Sequence, residues 1–226
     1  MNEPRMVEVR RQVLRENDLL ARRLRERFQS ARVGVISLVS SPGSGKTALL
    51  ERVLTDLGRE YRVAALVGDL ATQNDAARLA RSGMPVKQIT TGTVCHLDAQ
   101  MVEKAIADWV LQDFDFLFIE NVGNLVCPSS FDLGEDLRLV LVSTTEGEDK
   151  PLKYPTIFNT ADVAIVTKLD LAEVAGFDLA ALTRNIRGVR PGMPILKVST
   201  RTGRGVENLE QFLVSRRVEM EATHAL

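Results

Sequence analysis

From residue 33 onward the chain alternates between short, unbroken apolar runs and stretches whose apolar residues recur at helical spacing. The runs are VGVISLV (33–39), RVAALV (62–67), DFLFIE (115–120), LRLVLVS (137–143), DVAIVT (162–167) and PILKVS (194–199), with a weaker one at PVKQIT (85–90). Being continuous, not alternating, they read as strands covered on both faces. Between them TALLERVLTDLG (47–58), DAQMVEKAIADWVL (98–111) and VENLEQFLVSRR (206–217) carry the three-and-four spacing of helices. Repeated strand–helix units predict an α/β fold, a three-layer sandwich with a mostly parallel central sheet. Ahead of it, residues 4–28 predict one long amphipathic helix with Val13, Leu20, Leu24 and Phe28 on its buried side. The expected division is therefore an N-terminal helix, 1–32, and a domain spanning 33–226.

Composition changes this picture little. The 226 residues are 45% hydrophobic and 26% charged, with a net charge of −1, so nothing draws the chain toward nucleic acid or an anionic membrane. Residues 1–32 hold nine Arg against five acidic residues, interspersed and without an aromatic platform, which suits a solvated helix or a partner's docking helix better than nucleic-acid binding. No apolar run approaches the roughly 18 residues needed to span a bilayer. The charged start is unlike a secretory signal, and two cysteines make no disulfide framework, so a cytoplasmic protein with reduced thiols is expected.

The first strand runs straight into SSPGSGKT (40–47) and then a helix, the context of a P-loop NTPase. Gly43 and Gly45 let the loop curl so that backbone N–H groups of Gly43–Ala48 face the phosphates, with Pro42 in the same loop. Lys46 is expected to reach the β- and γ-phosphates, and the Thr47 hydroxyl to bind Mg²⁺. Ser44 lies within the same cradle. The usual pattern begins with Gly where this chain has Ser40. Asp69 and Glu120 end strands at the side of the sheet where ligands bind, which makes them candidates for the Mg²⁺ shell or for orienting water, against the alternative of acidic caps. Gly123, in ENVGN, is placed to offer an N–H to the γ-phosphate and to move when that group leaves.

The base-reading element is TKLD, Thr167 to Asp170. A carboxylate at Asp170 accepts from guanine's N1–H and exocyclic amine, a donor pair that adenine lacks, so GTP and GDP are the expected nucleotides. The Lys168 stem covers one face of the base. Thr167 departs from the Asn-Lys-x-Asp form. VSTRTG (198–203), with Ser199 and Thr200, is placed to cover the other side.

SSPGSGKT, GDLATQNDA, TTGTVCHLD, ENVGNLVCP and TKLD together resemble the hydrogenase nickel-incorporation GTPases of the HypB family, over residues 33–215. The resemblance implies a dimerising P-loop GTPase that delivers nickel to the large subunit precursor of [NiFe]-hydrogenase beside a HypA-like nickel chaperone. It further implies a metal site at Cys95, His96 and Cys127. Thiolate and imidazole suit Ni²⁺ and Zn²⁺ alike, and three ligands leave the site open to exchange or to completion across a dimer. Cys127 stands four residues beyond Gly123, so γ-phosphate loss is expected to pull on a metal ligand. Buried cysteine as a small hydrophobe is the plain alternative.

Other readings are a urease-type accessory GTPase, whose contiguous Cys-Pro-His is missing here, a cobalamin-enzyme chaperone GTPase, a small-molecule kinase with Asp69 as base, and a metal-binding module without turnover. A homodimer promoted by GTP and metal is expected. Lys150 and Lys153, in the loop EGEDKPLKYP (146–155), are candidates to act across it or to be ordinary solvated residues. No obvious in-chain arginine finger or glutamine follows the ENVG turn, so unassisted hydrolysis is expected to be slow.

Overall fold

The computed structural model describes residues 5–69 and 74–224. The strands are β1 (Gly34–Ser40), β2 (Val63–Asp69), β3 (Val86–Thr90), β4 (Phe116–Glu120), β5 (Leu137–Ser143), β6 (Val163–Thr167) and β7 (Ile195–Lys197). They form one sheet in the order β3-β2-β4-β1-β5-β6-β7. All six pairings are parallel. The helices are α1 (Arg5–Ala31), α2 (Lys46–Leu57), α3 (Asn74–Ala80), α4 (Ala99–Ala105), α5 (Lys150–Lys153), α6 (Pro155–Thr160), α7 (Leu179–Val189) and α8 (Val206–His224).

Strand alternation sorts the core into two layers. Ile36, Leu38, Phe118, Leu139 and Ile165 face Leu50 and Leu54 of α2 and Leu209 and Leu213 of α8. Their neighbours point the other way: Val35, Leu66 and Leu117 toward α1 and α4, and Val140 and Val166 toward α6 and α7. Both faces are thus covered, which is why the runs are continuous in sequence. The PVKQIT run is weaker because β3 is an edge strand whose residues are only half buried or exposed.

Helix α1 is anchored by its second half. Ala21, Leu24 and Phe28 are fully buried, and truncating Leu24 to Ala would cost about 2–5 kcal/mol. Val13, expected on the buried side, is instead 47% exposed, because it lines an open groove with Leu20, Gln100 and Phe131 that covers it only in part. Residue 4, where the helix was expected to start, lies outside the described residues. The 98–111 segment also differs from expectation. Its helix ends at Ala105, whose carbonyl accepts from Lys87 Nζ at 3.0 Å, and tighter turns carry the chain to Phe114. No helix among the described residues is long and apolar enough to cross a membrane.

Candidate nucleotide and metal site

At the centre of the sheet β1 is flanked by β4 and β5. The chain leaves β1 for β2 on one side and returns later to β5 on the other, and ligands of open α/β sheets bind at such a reversal. There a cleft of about 530 Å³ opens. Gly43 (φ 72°) and Gly45 (φ 93°) take left-handed conformations that side chains disfavour, turning the loop into the N-terminus of α2. Pro42, Gly43, Gly45, Lys46, Thr47 and Ala48 line the cleft, and so do Asp69, Glu120, Gly123 and Lys168.

Ser40, at the variant first position of the loop motif, has a use of its own. Its Oγ accepts from Lys46 Nζ at 3.0 Å and donates to the Ser41 carbonyl at 2.7 Å. Burial lowers the Lys46 pKa, opposed by the nearby charges of Glu120, Asp75 and Glu146. Ser44 turns away from the cleft and donates to Ser41 O and Glu146 Oε2 at 2.8 and 3.0 Å. Glu146 also accepts from the Ser143 N–H at 2.9 Å, so the loop after β5 braces the phosphate loop from behind.

Glu120 closes the floor of the cleft. It is 2% exposed, and its Oε1 accepts from Thr47 Oγ1 at 2.6 Å. Its Oε2 is buried with no hydrogen-bond partner. Burial pushes this carboxyl up to about 7, against the pull of the Thr47 hydrogen bond and the Lys46 charge. At the end of the neighbouring strand β2 stands Asp69, whose carbonyl accepts from the Thr91 N–H at 2.9 Å. Leu70 to Gln73, the middle of GDLATQNDA, lie outside the described residues. Sequence reasoning missed Gly68, Asn121 and Val122 among the residues lining the cleft, and also Asp75 and Arg78 on α3, with Arg78 Nε donating to Glu51 at 2.7 Å. For Asp75 and Arg78, their three-residue spacing just past the end of β2 was the available signal.

The TKLD segment meets the phosphate loop directly. Thr167 Oγ1 donates to Ser44 O at 2.6 Å, so the residue that departs from the familiar motif still ties this strand end to the loop. Lys168 sits at φ 54° and its Nζ donates to Gly43 O at 2.8 Å. Asp170 is outside the phosphate cleft and accepts from Ser199 Oγ at 2.6 Å, which holds its carboxyl below the usual range. Thr200 lines an adjoining groove that also includes Ala48. Lys150 and Lys153 are in the short helix α5, not in an open loop. Lys150 pairs with Glu146 at 3.4 Å and donates to Ser41 Oγ at 3.3 Å, while Lys153 pairs with Asp149 at 2.6 Å.

Beside this cleft Cys95, His96 and Cys127 bring one donor atom each within 4.8 Å of one another. The two sulfurs are free thiols 2.9 Å apart, Cys95 donating to Cys127. That hydrogen bond, followed by desolvation, pushes the Cys95 thiol up. The His96 ring stacks on Phe131 with centroids 3.9 Å apart, and its Nδ1 is buried without a partner. Burial lowers its pKa, favouring the neutral imidazole that binds metals. Two soft sulfurs and an imidazole make a donor set suited to nickel or zinc.

The family model of the CobW/HypB/UreG nucleotide-binding domain matches residues 34–197. The hydrogenase maturation factor HypB of Escherichia coli (strain K12) is 46% identical over 217 residues, which are 96% of this chain and 75% of that protein. Among solved structures, HypB from Helicobacter pylori in complex with nickel superposes with a TM-score of 0.86 at 42% identity, covering 90% of this chain and 96% of that one. HypB from Archaeoglobus fulgidus gives a TM-score of 0.83 at 38% identity, covering 89% and 98%. Matched by that family model over most of its length and 46% identical to a HypB protein along nearly all of it, the chain belongs to the HypB family of hydrogenase maturation factors.

Proposed function

We propose that this protein is a GTP-hydrolysing metallochaperone that carries nickel to the large subunit precursor of [NiFe]-hydrogenase. The observation that carries the reading is the placement of Cys127 in the segment Glu120–Pro128, which begins in the nucleotide cleft and ends in the metal cluster. The phosphate loop binds the β- and γ-phosphates with backbone N–H groups and with Lys46, released from Ser40. Asp170 reads guanine, with Lys168 and the Ser199–Thr200 segment on the two faces of the base.

The hard oxygen donors at the cleft floor, including the unpartnered Glu120 Oε2, suit Mg²⁺ held by Thr47 and Glu120 with Asp69 beside them. When bound, the ion neutralises phosphate charge. Asp69 and Glu120 orient the attacking water, Glu120 as the carboxylate that the bound ion would favour. Gly123 bonds the γ-phosphate and relaxes on its loss. A substituent at Gly123 would approach Pro42 Cα at 3.0 Å, so the turn and the phosphate loop already touch.

Ni²⁺ is the cargo at Cys95, His96 and Cys127, and Zn²⁺ is the other metal this donor set accommodates. GTP and metal promote a homodimer, and a HypA-like chaperone supplies the nickel, in the cytoplasm. Lys150 or Lys153 contributes across the dimer after leaving its intrachain partner. Hydrolysis is slow unassisted. Phosphate release from GTP and ATP, measured with the native protein and Lys46→Ala, tests the activity, alongside Ni²⁺ equilibrium dialysis of Cys95→Ala. GTP-selective turnover lost in Lys46→Ala, and Ni²⁺ binding weakened in Cys95→Ala, are expected. Equal hydrolysis of ATP, or phosphorylation of a small acceptor, would contradict it.

A further inference from the structure

Between Glu120 and Cys127 stand two asparagines whose side chains reach across to the other metal-bearing loop. Asn121 is 2% exposed, and its Oδ1 accepts two backbone N–H groups, from Leu97 at 3.0 Å and from Val122 at 2.9 Å. Its own N–H donates to Leu38 O at the end of β1, at 3.0 Å. Leu97 directly follows His96. Three residues on, Asn124 Nδ2 donates to Cys95 O at 3.3 Å. Leu97 is also held from the neighbouring strand β2. A Cβ at Gly68, one residue before Asp69, would meet the Leu97 side chain at 2.8 Å, so that side chain rests directly on the glycine.

We infer that Asn121 is a positioning residue that carries the state of the nucleotide to the metal site, its carboxamide fixing Leu97, and with it His96, to the Glu120–Gly123 turn. The inference rests on the proposed function, since it names the contact through which the two sites communicate. The Glu120–Gly123 turn lies against the phosphate loop, and any rearrangement of it displaces the Asn121 side chain. Oδ1 then drags or releases the Leu97 N–H. Because Leu97 is fully buried and already touches Gly68, its amide cannot turn to water as a substitute acceptor, and the loop bearing His96 moves with the turn. One ligand moves through Asn121 while Cys127 moves through its own segment, so the separation between the donors changes.

The test compares Ni²⁺ affinity in GDP and in a non-hydrolysable GTP analogue for the native protein, Asn121→Ala and Asn121→Asp. It adds amide hydrogen exchange at Leu97 in the native protein. Aspartate keeps an oxygen where Leu97 and Val122 donate, and alanine removes it. The ratio of affinities between nucleotide states cancels any loss of affinity common to both. The expected native ratio is at least about fivefold. Asn121→Ala should bring it close to one, Asn121→Asp should restore most of it, and Leu97 exchange should differ between the nucleotide states. An Asn121→Ala ratio equal to the native one overturns the inference and leaves the proposed function standing. Identical Leu97 exchange in both states overturns it even if the alanine variant does not fold. A native ratio of one, with both nucleotides bound, overturns the proposed coupling itself.

Discussion

Replacing Glu120 with Gln gives a quantitative handle on the cleft. The folded chain holds this carboxyl at about 7 instead of the ordinary 4.5, chiefly by burial. Below about pH 4.5 the group is protonated whether the chain is folded or not, and it contributes nothing to pH dependence. Between 4.5 and 7 the unfolded chain has lost a proton that the folded chain keeps, so stability falls as pH rises. Above 7 the loss levels off. At about 1.4 kcal/mol per pH unit for one proton, it amounts to about 3 kcal/mol over that window. Glutamine keeps an oxygen for the Thr47 hydroxyl and does not ionise. Urea unfolding of native protein and Glu120→Gln, nucleotide- and Mg²⁺-free, from pH 4.5 to 8, isolates the group, because Glu210, also pushed to about 7, titrates in both. The stability difference, native minus variant, should fall by about 3 kcal/mol across the range. Mg²⁺ with GTP should shrink that fall by favouring the carboxylate. A flat difference would refute the reading of Glu120 as a buried, near-neutral carboxyl.

If Asp170 reads guanine as proposed, Asp170→Asn replaces one of its two acceptors with a donor and should cut the preference for GTP over xanthosine triphosphate by about 10- to 1,000-fold, as read by competition binding. Gly123→Ala would place a methyl 3.0 Å from Pro42 Cα and 3.1 Å from its N. The strain of about 1–3 kcal/mol should weaken GTP binding by roughly five- to 150-fold by calorimetry, and unchanged affinity would show that the turn yields freely. Arg138→Ala would strand Glu135, its buried partner at 2.6 Å, and should cost about 3–5 kcal/mol in denaturant unfolding.

The strands were legible because a sheet covered on both faces writes them as unbroken apolar runs, and the phosphate loop because its glycines, lysine and hydroxyl are contiguous. What sequence concealed depended on long-range packing. Cys95 and Cys127 are 32 residues apart, and where they meet, Leu97 is fastened to Asn121 and the Cys95 carbonyl to Asn124. Asparagines that accept backbone N–H groups look like any loop asparagine in a sequence. Thr167 was read as a departure, yet its hydroxyl reaches Ser44 O, a tie set by the β5–β6 register. Val13 followed the apolar periodicity of α1, but periodicity identifies a face without saying how fully the domain covers it. Lys150 and Lys153 fall in a helix only four residues long, below what spacing can reveal.

In the proposed function the nucleotide sets the grip on metal at Cys95, His96 and Cys127. Calorimetric titration of Ni²⁺ into the GDP complex and into the complex with a non-hydrolysable GTP analogue measures that grip in each state. The account predicts affinities differing by roughly five- to 150-fold, with the same factor recovered as the effect of Ni²⁺ on the relative affinity for the two nucleotides. It also predicts that Cys127→Ala removes most of the difference while leaving GTP bound. Equal Ni²⁺ affinities in the two complexes would make the cluster a static site and contradict the account.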